Sequence, residues 1–165
     1  MSSNRVSRVQ LLLVMILLVA LQFYVRPRLW DARISPDFLL IALLLFAMRS
    51  SPGLAALAGF AVGLVADTLT PARFGAGALA HTLVAYLASW GRAVFFADNM
   101  LVNAGFVAAG LWLRDFIVLL ASGTDHRQML TELTLYSPLQ ALTTAGCALI
   151  VLILFRSMFS VRLDA

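Results

Sequence analysis

The sequence predicts an all-α integral membrane protein, about six transmembrane helices in a single domain over residues 1–165, and three observations carry that prediction. Hydrophobic residues make up 62% of the chain and charged residues 12%, with a mean hydropathy of +0.94, too little polar surface for a soluble domain of 17.9 kDa. The apolar residues fall into runs near the roughly 20 residues of helix that a hydrocarbon core of about 30 Å requires. Short segments rich in proline, glycine and arginine separate the runs, leaving no room for a second, soluble domain.

Arg5 and Arg8 precede the first run. It has the charge and hydrophobicity of a signal sequence but no small-x-small cleavage site, so it reads as an uncleaved helix over about residues 9–25. Arg26, Pro27, Arg28, Asp31 and Arg33 form a polar connection, and Pro36 then stands where the first turn of a second helix, about 36–49, tolerates it. The apolar part of that helix, residues 38–48, spans only about 16 Å, so its flanks must extend it or it must be partly re-entrant. Ser50, Ser51, Pro52 and Gly53 break the chain before a third helix, about 53–69, and Thr70, Pro71, Ala72 and Arg73 break it again. A fourth helix follows over about 75–92 and a fifth over about 99–122, with Arg114 and Asp115 inside it. After a polar loop at 123–132, the last helix covers about 135–156.

All twelve basic residues are arginine, and the pI near 10.2 would point to nucleic acid in a soluble protein. Here the arginines punctuate helix ends, so phospholipid headgroups are their partners and no nucleic acid is expected. Six crossings place both termini on one side. The positive-inside rule sets Arg5, Arg8, Arg49, Arg92, Arg156 and Arg162 at cytoplasmic ends against Arg26, Arg28, Arg33, Arg73 and Arg127 outside, a bias of one residue toward cytoplasmic termini. The lone Cys147 provides neither a disulfide nor metal-ligand spacing and reads as a small packing residue.

Residues 59–87 set Asp67 and His81 in otherwise apolar sequence, where an ionisable group marks function or architecture. With cytoplasmic termini, Asp67, His81, Arg114 and Asp115 all fall in the outer half, where they form an expected polar cluster, and Asp37 lies at the outer start of the second helix. Ala56, Gly59, Gly63 and Asp67 are spaced three, four and four, a small-residue stripe on one helical face whose G-x-x-x-G permits close helix approach. Gly77, His81, Ala85 and Ala88 make a similar stripe on the fourth helix. Both stripes are candidate packing or partner surfaces.

A buried Arg114 needs a partner, since an unpaired arginine at mid-membrane costs about 2.5–3.5 kcal/mol on insertion scales. One expectation is an Arg114 to Asp67 contact with His81 nearby. The other is that Arg114 snorkels to headgroups while Asp67 reaches interfacial water. His81 reads as a structural histidine ahead of a proton carrier, because no carboxylate lies a turn away on its own helix. Ser137, Gln140, Thr144 and Cys147 form a polar stripe on the last helix, of the kind that joins membrane helices. No nucleophile motif, metal spacing or phosphate-binding glycine loop is present, so an enzyme is not expected.

The order S-P-D-F-L-L-I-A-L-L-L at residues 35–45, a polar break with Pro52, G-F-A-V-G-L-V-A-D at 59–67, a turn, and G-A-L-A-H-T-L-V-A-Y-L at 77–87 resembles the MreD family of rod shape-determining membrane proteins, over about residues 36–89. The turn after the acid departs from the family pattern at Arg73 and Phe74 while keeping Pro71 and Gly75. The resemblance implies a non-catalytic scaffold subunit of the bacterial elongation complex in the inner (cytoplasmic) membrane, without a cofactor. It implies direct binding of MreC, association with MreB, RodA and a class B penicillin-binding transpeptidase, and support of lateral peptidoglycan synthesis and cell shape. It further implies a fold similar to the S components of energy-coupling-factor transporters. That similarity supplies the alternative, a small-molecule-binding transport subunit.

Overall fold

A computed structural model describes residues 3–29, 31–68, 74–95 and 100–154. Among them there is no strand, and six helices account for the architecture: α1 Ser3–Tyr24, α2 Phe38–Ala47, α3 Pro52–Thr68, α4 Ala76–Phe95, α5 Met100–Ala121 and α6 His126–Leu154. Three segments, Leu11–Arg28, Leu101–Ala121 and His126–Leu154, are long and apolar enough to cross a membrane. The turn at residues 70–73, the 96–99 link and the chain after residue 154 lie outside the described residues, and with them Arg73, Arg156 and Arg162 of the charge-bias argument.

α2 is the centre of the bundle. It is uniformly apolar, FLLIALLLFA, with no polar face to turn toward water, and every residue except Phe46 is buried. Ten residues span about 15 Å, half of a hydrocarbon core. Surrounding protein, not lipid, therefore encloses it. The helix begins after Asp37, not at Pro36: the Asp37 carboxylate accepts from Leu40 N, which makes Asp37 the N-cap and leaves Pro36 outside the helix. α1 lies along α2 through Val14, Leu18 and Gln22, spaced at four residues on one face, while Leu12, Leu13, Ile16 and Leu17 point away from the bundle.

α3 has its most extensive packing with α4. The buried ridge of α3 is Ala55, Gly59, Gly63 and Asp67, an unbroken i, i+4 row, so Ala55 replaces the half-buried Ala56 of the sequence stripe. A Cβ at Gly59 would come within 2.3 Å of the His81 carbonyl oxygen, and one at Gly63 within 2.4 Å of Ala78 Cα. Facing them, α4 buries Gly77, His81, Ala85 and Ala88. Of the two readings of the small-residue stripes, packing surface or partner surface, the geometry supports packing: the α3 stripe forms the α3/α4 seam, because this pair of glycines lets the two backbones approach so closely.

α5 and α6 form a helical hairpin. Gly123, at φ +63°, ends α5, with Thr124 N bonded to Leu119 O and Gly123 N to Leu120 O, the paired bonds of a Schellman stop. Asp125 then caps α6 by accepting from Arg127 N. The last helix consequently starts at His126, not near residue 135, and the polar stretch that reads as loop in sequence supplies its first turns. A π-helical segment, Glu132–Tyr136, joins those turns to the apolar part, Ser137–Leu154.

Gly59→Ala or Gly63→Ala is expected to force the seam apart and to destabilise the protein by about 1–3 kcal/mol, the usual range for overpacking. Gly53→Ala, where nothing lies within 4 Å, should leave stability unchanged. Thermal unfolding in detergent or bicelles measures both.

Candidate functional site

Two polar assemblies lie toward one end of the bundle. The first is built on Asp67, which α3 carries to the N-terminus of α4. Its Oδ2 accepts from Gly75 N (2.9 Å) and Ala78 N (3.0 Å), and its Oδ1 accepts from Gly77 N (2.9 Å). Three amides at the positive end of a helix dipole compensate the carboxylate, each such bond contributing on the order of 1.5–3 kcal/mol. The approach depends on glycine twice. Gly75 holds φ +95°, and a Cβ at Gly77 would fall 2.2 Å from Asp67 Oδ1. One turn on, the buried His81 donates from Nδ1 to Gly77 O at 2.7 Å, since a carbonyl only accepts.

The second assembly surrounds the N-terminus of α2, whose first four N–H groups have no partner within the helix. Asp37 N donates to Thr144 Oγ1 of α6 (3.1 Å), Phe38 N and Leu39 N donate to Gln22 Oε1 of α1 (3.1 and 3.4 Å), and Leu40 N donates to Asp37 Oδ1 (2.9 Å). The other Asp37 oxygen faces Arg114 Nη2 at 3.2 Å, and Arg114 Nε stands 3.1 Å from Asp115 Oδ1. These are charge pairs rather than aligned hydrogen bonds, between side chains at most 17% exposed. Ser137 donates its hydroxyl hydrogen to Asp115 Oδ2, and Gln140 Nε2 donates to Ser35 O at 3.1 Å. The polar stripe of α6 thus binds α5 and the connection before α2.

The expected Arg114 to Asp67 contact is corrected. Backbone amides occupy both Asp67 oxygens, whereas Asp37 keeps one oxygen free after capping α2, and Arg114 goes there. Neither does Arg114 snorkel outward, since its side chain is 14% exposed. His81 lies between the assemblies, within electrostatic reach of Arg114, Asp37 and Asp67. Gln22 and Thr144 are the functional groups that single-helix reading underrates. Gln22 had a signal: it is an amide within an apolar run, four residues from Leu18 and eight from Val14 on the face that proves buried.

Beside Asp115 a cleft of about 150 Å³ opens between α5, α6 and the connection before α2. Arg33 crosses its mouth, 3.8 Å from Glu132 and 4.9 Å from the centroid of the Tyr136 ring. Among the described residues no three histidine, cysteine or acidic side chains converge as metal ligands.

The pairing scheme predicts a specific pattern of coupling. Asp37→Asn should destabilise the protein by about 3 kcal/mol or more, because a buried guanidinium loses half of its compensation. In double-mutant cycles, Arg114→Gln should couple to Asp37→Asn by about 1 kcal/mol or more and add to Asp67→Asn with no coupling. Unfolding measurements on the two cycles distinguish the partners.

No curated protein and no solved structure matches this chain. The family model described as rod shape-determining protein MreD matches residues 3–161, nearly the whole chain and all six helices, and includes both polar assemblies. The chain therefore belongs to the MreD family of rod shape-determining membrane proteins.

Proposed function

We propose that this protein is a non-catalytic scaffold subunit of the rod-elongation complex in the bacterial inner membrane. In this role it binds MreC and supports lateral peptidoglycan synthesis alongside MreB, RodA and a class B penicillin-binding transpeptidase. Family membership makes it a cell-shape-determining membrane protein, and MreD is not a known family of enzymes. The observation that carries the scaffold reading is the disposition of the buried polar groups. Asp37, Asp67, Gln22 and Thr144 all cap or join helices, and His81 bonds back to Gly77 O within α4, so what the bundle offers a partner is its outward apolar surface.

The transport-subunit alternative calls for a small-molecule pocket of roughly 300–1,000 Å³, and the cleft beside Asp115, at about 150 Å³, is smaller than that. Because the glycine seam is closed within the protein, the contact surface for MreC lies elsewhere in this proposal. α1 and α3 sit at the edges of the bundle, and each leaves large side chains exposed: Leu13 and Leu17 on α1, Leu57 and Phe60 on α3. A partner helix gains van der Waals contact on such a face without disturbing the interior.

A photo-crosslinking residue introduced at Leu13, Leu17, Leu57 or Phe60, with MreC coexpressed, is expected to capture MreC from at least one edge helix. The same residue at the exposed Ile153 of α6 serves as the background control. Failure to capture MreC from all four edge positions, together with failure of the two proteins to copurify, would overturn the proposal.

A further inference from the structure

The cleft between α5, α6 and the connection before α2 combines features that no helix-joining role requires. Its volume of about 150 Å³ is that of a cavity able to admit a molecule the size of benzene, the scale of a small polar headgroup. Opposite charges stand side by side at its mouth. The Arg33 guanidinium and the Glu132 carboxylate are 3.8 Å apart, and the Arg33 side chain is 57% exposed, so the pair is loose and open to a competitor. Asp115, deeper in, already has one oxygen on Arg114 and the other on Ser137, leaving Glu132 as the available acid. The Tyr136 ring presents a face that already attracts the Arg33 cation.

A ligand complementary to this arrangement carries the reverse pair of charges. Its anion would meet the guanidinium fork of Arg33, which suits phosphate geometry. Its cation would meet Glu132 and the ring of Tyr136. The surroundings belong to a bilayer interface: Val118 and Leu119 form the apolar wall, and Leu135, Leu139 and Leu142 make an exposed stripe on α6 beside the polar row. The exposed Tyr24 ends α1, a position typical of an interfacial aromatic residue. We propose that this cleft binds the headgroup of a zwitterionic phospholipid with a primary ammonium, phosphatidylethanolamine. The phosphate rests on Arg33, the ammonium on Glu132 and Tyr136, and the acyl chains follow the leucine stripe. This site is independent of the scaffold reading.

The test uses the full chain purified from nanodiscs that contain equal amounts of phosphatidylethanolamine, phosphatidylglycerol and phosphatidylcholine with identical acyl chains. Retained lipid is counted by native mass spectrometry. Phosphatidylethanolamine should be enriched about fivefold over both others, the range open to an exposed ion pair. Glu132→Gln should reduce it to the level of phosphatidylglycerol, and Arg33→Gln should lower both. Tyr136→Leu, which keeps both charges, should lower phosphatidylethanolamine alone, and the more distant Arg127→Gln should change nothing. Retention without headgroup preference, or preference that survives both charge substitutions, overturns the proposal. So does displacement of the lipid by soluble phosphoethanolamine at equal concentration, which would identify a soluble ligand instead.

Discussion

The bundle depends on satisfying the backbone at the start of α2. In lipid, a helix end has no water to complete its hydrogen bonds, and an unsatisfied amide costs several kcal/mol. A helix that crosses the whole hydrocarbon region brings its ends to the headgroups, but α2 is too short for that and has protein on every side. Its four free amides must be met by side chains, and they are, by Gln22, Asp37 and Thr144. Each acceptor brings a helix with it. Gln22 sets the depth of α1, Thr144 sets that of α6, and Asp37 positions Arg114 and hence α5. Residues more than 100 positions apart in sequence thus meet at one helix terminus. At the other end, Met48, Arg49 and Ser50 N close back on the carbonyls of Leu44, Phe46 and Ala47, and Ser89 ties that turn to α4.

The seam between α3 and α4 works on a different principle. Hydrophobicity provides little drive for helix association among lipid tails, so close backbone contact and buried hydrogen bonds replace it. Gly59 and Gly63 permit the contact, and Asp67 adds a polar lock at one end. Placing the acid at the end of the glycine row suits both requirements, because the row holds the helices close enough for a short side chain to reach the next helix's first amides.

Much of this was legible in the sequence, for reasons that particular residues make plain. Composition pointed to the membrane class, and the punctuation by proline, glycine and arginine separated the apolar runs. The spacing of Gly59, Gly63 and Asp67 correctly identified a buried face. Spacing defines a direction on one helix, however, and says nothing of which neighbour fills it. The expected Arg114 to Asp67 contact therefore named the wrong carboxylate, and the glycine face was left open between packing and a partner surface when α4 already covers it. The start of α6 was missed because residues 123–132 are polar, and a polar sequence becomes helical here through Asp125 capping and a Schellman stop just before it. The resemblance at residues 35–45, 59–67 and 77–87 identified the family, and those segments contain α2 and the α3/α4 seam.

The π-helical segment at Glu132–Tyr136 has a consequence for how α6 tolerates change. A π-turn accommodates one residue more than the α-helical ladder, equivalent to a rotation of about 100° between the helix before it and the helix after it. The stub from His126 and the apolar shaft from Ser137 thus face different directions on one continuous rod, with Trp112 Nε1 donating to the Leu133 carbonyl in the widened turn. Loss of a single residue there would erase the offset. The shaft would keep its grip on Asp37 and Asp115, while the surface formed by His126–Thr131 would swing to another side of the molecule. In that sense the segment is an angular setting, adjustable by insertion or deletion of one residue without repacking the interior.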